Sequence, residues 1–125
     1  MEMVKSPYLQ INVTEIGEEA SLMAEDGMII LFNDTVPFEL KSIAVVHDNE
    51  SITAELKAGD EMEIDGEAFK ILHVGNKVSE TMKELGHATF HFSGEDSSDM
   101  PGTVSLENKE IPQINKDSII SFIRN

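Results

Sequence analysis

Four histidines, His47, His73, His87 and His91, are the side chains of this sequence best suited to chemistry. An imidazole has an unperturbed pKa of about 6.5, so near pH 7 it is largely neutral and nucleophilic. His47 ends the apolar run Ile43-Ala44-Val45-Val46-His47 and is followed by Asp48-Asn49-Glu50. On an extended strand Ile43, Val45 and His47 share one face. The run therefore predicts an imidazole held on rigid backbone at the edge of the core, with a polar loop beyond. Fixed orientation with access suits a nucleophile, and the same position suits an ordinary polar residue at a strand end. His87 follows Gly86, just past a predicted helix, where the partial negative charge of the helix C-terminus favours a protonated ring. Such a ring can donate to a phosphoryl oxygen, or simply serve the helix end. His91 shares a strand face with His87 and Thr89, opposite Ala88, Phe90 and Phe92, and reads as a solvated sheet residue. His73, on the face of Phe69 and Ile71, reads as a core or barrel-end histidine.

Other chemistries find little support. His87 and His91 lie about 13 Å apart on one extended strand at ~3.3 Å per residue, too far to ligate one ion. No H-x-H pair and no H-E-x-x-H is present, and His47-Asp48-Asn49 lacks the second histidine of a metal-binding barrel. No G-x-x-x-x-G-K-S/T loop and no G-x-S-x-G elbow occurs. There is no cysteine, which removes disulfides, thiolate catalysis and cysteine-based zinc sites. No metal and no cofactor are implied.

Asp and Glu number 24 against nine Lys and Arg, a net charge of −15. Nucleic acids and anionic membrane surfaces call for the opposite sign. Arg124 is the only arginine, so no internal guanidinium fork is offered to a phosphate ester. If the chain handles phosphate, a covalent bond holds the group or a basic partner helps. No apolar run approaches the ~20 residues that span a bilayer, and the N-terminus lacks the pattern of a signal peptide. A cytoplasmic location is expected.

The elements that position these histidines are mostly strands. The 125 residues fit a single domain over 1–125 with one core. Strand signals run over 8–16, 28–32, 43–47, 51–56, 61–64, 68–74, 87–92, 103–106 and 118–123. Asp65-Gly66 between two of them marks a hairpin. A helix is predicted over 77–85, capped by Asn76 and ended by a left-handed Gly86, with Val78, Met82 and Leu85 as its apolar stripe. A second short helix begins near Pro37. The expected fold is mostly β: a small closed or partly closed antiparallel barrel with one or two short helices. Many short strands also leave room for a homodimer by edge pairing or strand exchange.

Several segments in order resemble a known family. They are Ile43–His47, the turn Lys57-Ala58-Gly59-Asp60 leading to Val74-Gly75, then Glu84-Leu85-Gly86-His87-Ala88-Thr89-Phe90, and Met100-Pro101-Gly102-Thr103-Val104. Together they resemble the glucitol/sorbitol-specific enzyme IIA component of the bacterial phosphotransferase system, over roughly Leu9 to Phe122. The resemblance implies a phosphocarrier that takes a phosphoryl group from the histidine-containing phosphocarrier protein. It would pass the group to the IIB part of a IIB/IIC sugar permease, which would be its one link to the membrane. It places the phosphoacceptor at His47 and sets His87 in the L-G-H motif, where a supporting role is expected. Relatives often continue after the acceptor with a second histidine two residues on, then Gly-Glu-Leu. Here Asn49 and Glu50 stand in place of that histidine and glycine. Glu50 adds a negative charge whose repulsion of a phosphoryl group is about 1 kcal/mol at ~4 Å in water. The alternative reading is a non-catalytic regulatory or protein-binding barrel derived from such a carrier.

Overall fold

The strand signals become eight strands and three short helices in the computed structural model, which describes residues 6–50 and 52–124. In chain order they are β1 (Leu9–Ile16), α1 (Ala20–Glu25), β2 (Met28–Asn33), α2 (Phe38–Lys41), β3 (Val45–His47), β4 (Glu61–Ile64), β5 (Glu67–Val74), α3 (Val78–Leu85), β6 (Ala88–His91), β7 (Thr103–Leu106) and β8 (Ile119–Ile123). The strands close into a barrel in the order β1-β3-β2-β6-β7-β5-β4-β8. Every strand of the barrel has a neighbour on both sides, so among the described residues no strand edge is left for the edge pairing that would join two copies.

Six neighbouring pairs are antiparallel, as alternation and hairpin signals suggest, and two, β2/β3 and β6/β7, are parallel. A parallel pair requires a crossover. Residues 34–44, carrying α2, supply the first and residues 92–102 the second. The first crossover lays Val36 and Ala44 against Phe32 and Val46, a small apolar cluster outside the main core. The main core fills the barrel with Phe69, Phe90, Phe122, Ile11, Leu31, Ile64, Ile71, Leu106 and Ile120, each at most 1% exposed. Burial of each such side chain contributes about 1.5–3 kcal/mol.

The β4–β5 hairpin turns on Asp65 (φ 49°) and Gly66 (φ 89°), the positive pair that a tight hairpin turn demands. The Asp65 carboxylate also accepts from Ser118 Oγ (2.7 Å) and Ile119 N (2.8 Å), which ties the turn to the start of β8. At the other end of β8, buried Asp60 accepts from Tyr8 Oη (2.7 Å), Lys57 N (3.0 Å) and the guanidinium of Arg124 (3.0 and 3.1 Å). Burial raises the Asp60 carboxyl, but these donors outweigh it and hold its pKa below the ordinary value.

Three local expectations change. Residues 52–56 run as irregular chain instead of a strand, although Ile52 and Leu56 are buried. The reason is topological: β3 already has β1 and β2 beside it, and β4 has β5 and β8, so the segment has no edge to join. Ser51, where that strand was expected to begin, lies outside the described residues. α1 adds a third helix, six residues long and without a side-chain cap, which is why no start signal announces it. α3 begins at Val78 with Lys77 as its N-cap and no side-chain bond there, so Asn76 does not cap it; Val78 and Met82 are buried while Leu85 emerges at the end.

Candidate functional site

β3 is short because it is a parallel insert: it enters beside β2 at Val45 and leaves at His47, which stands in register with Asn33 on β2 and Val13 on β1. The β1 register shifts between Val13 and Glu15, so Thr14 is an extra residue opposite this end of β3, and its Oγ1 donates to Val46 O (3.3 Å). Such a bulge bends a strand and re-aims its neighbours. The His47 imidazole is fully buried, not at an accessible edge as the strand-end position suggests. Its Nε2 donates to the Gly86 carbonyl (2.9 Å), and its Nδ1 accepts from the Asn49 backbone N–H (3.1 Å). Burial pushes the ring's pKa below 6.5, opposed by the Gly86 carbonyl and by the charges of Asp48 and Asp34, so the ring stays neutral at pH 7.

Gly86 reaches the ring because of how α3 ends. It adopts the left-handed conformation (φ 59°), its N–H bonds Met82 O, and the following His87 N–H bonds back to Thr81 O (3.1 Å). Thr81 Oγ1 donates to His87 O (2.7 Å), which locks the turn from the other side. A Cβ on residue 86 would sit 2.5 Å from His47 Cε1, so the backbone approaches this closely only as glycine.

His87 lies one residue on, half-buried. Its Nδ1 donates to Leu31 O (2.9 Å), and its ring stacks on Phe32 at 4.0 Å and 7° between planes. That leaves Nε2 as its remaining polar atom. Asn33 is buried beside the site, its Oδ1 accepting from Thr35 N (3.1 Å) and Thr35 Oγ1 (2.6 Å), which sets the start of the first crossover. Glu50 is exposed.

The other two histidines stand elsewhere. His91 pairs with Met28, five residues along β2 from the partner of His47, so it is removed by roughly 17 Å along the strand direction at ~3.3 Å per residue. His73 faces Ser105, which also faces His91 across β7, and its buried Nδ1 has no hydrogen-bond partner. Among the described residues, no group of three or more His, Cys, Asp or Glu is arranged to hold a metal ion. A recess of about 560 Å³ lies between α1 and residues 110–116, lined chiefly by Ile16, Ala20, Ile43 and Ile111, and takes in none of the histidines.

Sequence reasoning singled out His47 and His87 but missed the two backbone groups that grip the imidazole, Gly86 O and Asn49 N–H. Only the L-G-H spelling hinted at the first, and nothing announces the second. Asn33 and Asp34 fall just past the strand signal over 28–32, and nothing in their spelling marks them as part of a site.

Among the described residues no helix is long and apolar enough to cross a membrane. The model of the family described as "PTS system glucitol/sorbitol-specific IIA component" matches residues 8–121. The PTS system glucitol/sorbitol-specific EIIA components of Shigella flexneri and Escherichia coli (strain K12) are each 26% identical over 113 residues, 90% of this chain and 92% of the relative. The crystal structure of a PTS system IIA component from Enterococcus faecalis V583 superposes with a TM-score of 0.81 at 28% identity, covering 92% of this chain and 99% of that one. The family match runs from β1 into β8 and takes in the whole setting of His47, from β1 through the end of α3, and on this ground the chain belongs to the glucitol/sorbitol-specific IIA component family of the phosphotransferase system.

Proposed function

We propose that His47 is the phosphoacceptor. It takes the phosphoryl group from the histidine-containing phosphocarrier protein and passes it to the IIB component of a IIB/IIC permease, in the cytoplasm, for uptake of a glucitol- or sorbitol-like sugar. The observation that carries this reading is the neutral, doubly held imidazole, with a backbone carbonyl on one nitrogen and a backbone N–H on the other. In-line transfer asks little of a protein beyond position and charge stabilisation. The imidazole attacks phosphorus as the donor's N–P bond breaks and its electron pair returns to the donor ring. His87 is the supporting residue: stacked on Phe32 and held through Nδ1 by the Leu31 carbonyl, its ring is fixed one residue from the carbonyl that holds His47. The single arginine is engaged by Asp60, so part of the positive charge at the transition state comes from the partner. Because the ring is fully covered, the chain around it must open for transfer.

Intact-protein mass after incubation with phosphoenolpyruvate, enzyme I and the phosphocarrier protein tests the proposal. One acid-labile phosphoryl adduct is expected on the wild type and none on His47→Ala. No adduct on the wild type, with the donor shown to be competent on another acceptor, would favour a regulatory or protein-binding barrel instead.

A further inference from the structure

We propose that Asn33 is a further catalytic residue of the transfer, its Nδ2 amide donating a hydrogen bond to a phosphoryl oxygen as the group arrives on His47. This rests on the reading of His47 as the acceptor and adds the group that meets the phosphoryl charge. β2 and β3 run parallel, with Asn33 in register with His47. Leu31 and Val45 lie in the barrel core, Phe32 and Val46 in the cluster outside it. Side chains alternate along a strand, so Asn33 and His47 both return to the core side, on backbones about 4.8 Å apart. A Cβ on Gly86 would lie 2.5 Å from His47 Cε1 and 3.0 Å from Asn33 Cβ, so the two side chains crowd one point. Cε1 is the ring carbon bonded to both nitrogens, which puts Asn33 beside the part of the ring that takes the phosphoryl group.

The amide is already aimed. The Thr35 backbone N–H can only donate, so the Asn33 atom 3.1 Å from it is Oδ1, and Thr35 Oγ1 donates to the same oxygen (2.6 Å). Nδ2 is then the free arm, with no partner among the described residues. Nor is it sealed. Asn33 as a whole is 1% exposed, yet among the described residues the one fully buried side-chain nitrogen or oxygen without a partner is His73 Nδ1. Nδ2 therefore keeps a trace of open surface. A donor left unpaired on so buried a residue calls for a partner that comes and goes. The site is otherwise short of positive groups: the charges that act on the ring are those of Asp48 and Asp34, and Arg124 is engaged by Asp60. A preset amide donor serves where charge gathers on oxygen. The imidazole lone pair forms the new N–P bond while the donor's N–P bond breaks and its electron pair returns to the donor ring. Asn33 gives up no proton.

The test pairs two variants with one measurement on the wild type. Asn33→Asp keeps an acceptor for both Thr35 donors and adds a charge. Asn33→Leu adds no charge and gives up the Thr35 bonds. What the two share is the lost Nδ2 donor. Both are expected to slow phosphoryl uptake from the phosphocarrier protein about 10- to 100-fold. Uptake at the wild-type rate by either variant, shown folded by circular dichroism, would overturn the proposal. On the wild type, proton–nitrogen NMR of ¹⁵N-labelled protein is expected to show the Asn33 side-chain amide moving downfield on phosphorylation. An amide that stays in place on protein carrying the adduct would overturn the proposal and leave His47 as the acceptor. Absence of any adduct, with the donor competent on a second acceptor, would overturn the acceptor reading and the proposal with it.

Discussion

At residue 86 a backbone and an imidazole contend for one space. The φ of 59° alone disfavours a side chain by about 1–2 kcal/mol, and a Cβ would lie 2.5 and 2.6 Å from His47 Cε1 and Nε2. Gly86→Ala should therefore lower stability by about 2–4 kcal/mol, read from urea unfolding. It should also push the imidazole off its carbonyl, so phosphoryl uptake falls even where the variant remains folded. The same burial makes a prediction about acid. In the folded state the His47 pKa is lowered from 6.5, so below that value the unfolded chain binds a proton that the folded chain refuses. Stability then rises with pH in this window: the contribution is full above pH 6.5 and is lost as pH falls toward the depressed folded value. Unfolding free energies at pH 7.5 and 5.5 should differ less in His47→Gln than in the wild type. A wild-type difference no larger than the variant's would mean the ring is not shielded from water.

At the scale of elements, the end of α3 does more for the site than its length suggests. Thr81 Oγ1 reaches three carbonyls, Lys77 O (3.3 Å), Val78 O (3.2 Å) and His87 O (2.7 Å), and the last fixes the chain as it leaves Gly86. Thr81→Val keeps the shape and removes the hydroxyl. It should cost about 1 kcal/mol and slow phosphoryl uptake by loosening Gly86, measured by denaturation and by the rate of adduct formation. Much of this framework was legible in the sequence. Asp65-Gly66 announced its hairpin, Gly86 its left-handed cap, and Ala88, Phe90 and Phe92 their inward face, because each follows a local rule of backbone or period. Ile52 and Leu56 misled because apolar spacing reports burial, and whether a strand edge is vacant to receive them is decided by distant parts of the chain. The placement of β3 between β1 and β2, parallel to β2 and antiparallel to β1, is likewise a fact of topology, invisible in Val45-Val46-His47. His47 itself was legible by type and position. Its partners were not, since backbone amides and carbonyls carry no letter in a sequence.

Across the whole molecule, charge sets the terms of encounter. A chain at −15 that meets a basic partner associates faster than an uncharged one, and added salt screens the attraction. Phosphoryl uptake at low donor concentration should slow several-fold between about 50 and 500 mM salt, while the extent of labelling at long times stays the same. A rate indifferent to ionic strength would show that docking depends on apolar contact alone. The position of β8 has a consequence of another kind. It is the strand that joins β1 to β4, and Asp65 and Asp60 grip the chain at its two ends. A ribosome makes β1 first and β8 last of the eight. Until β8 emerges, the nascent chain holds two strands with bare edges and a core open along one seam. The barrel thus assembles after synthesis has passed Ile123, and in that interval the cell must keep newly made copies from pairing with one another.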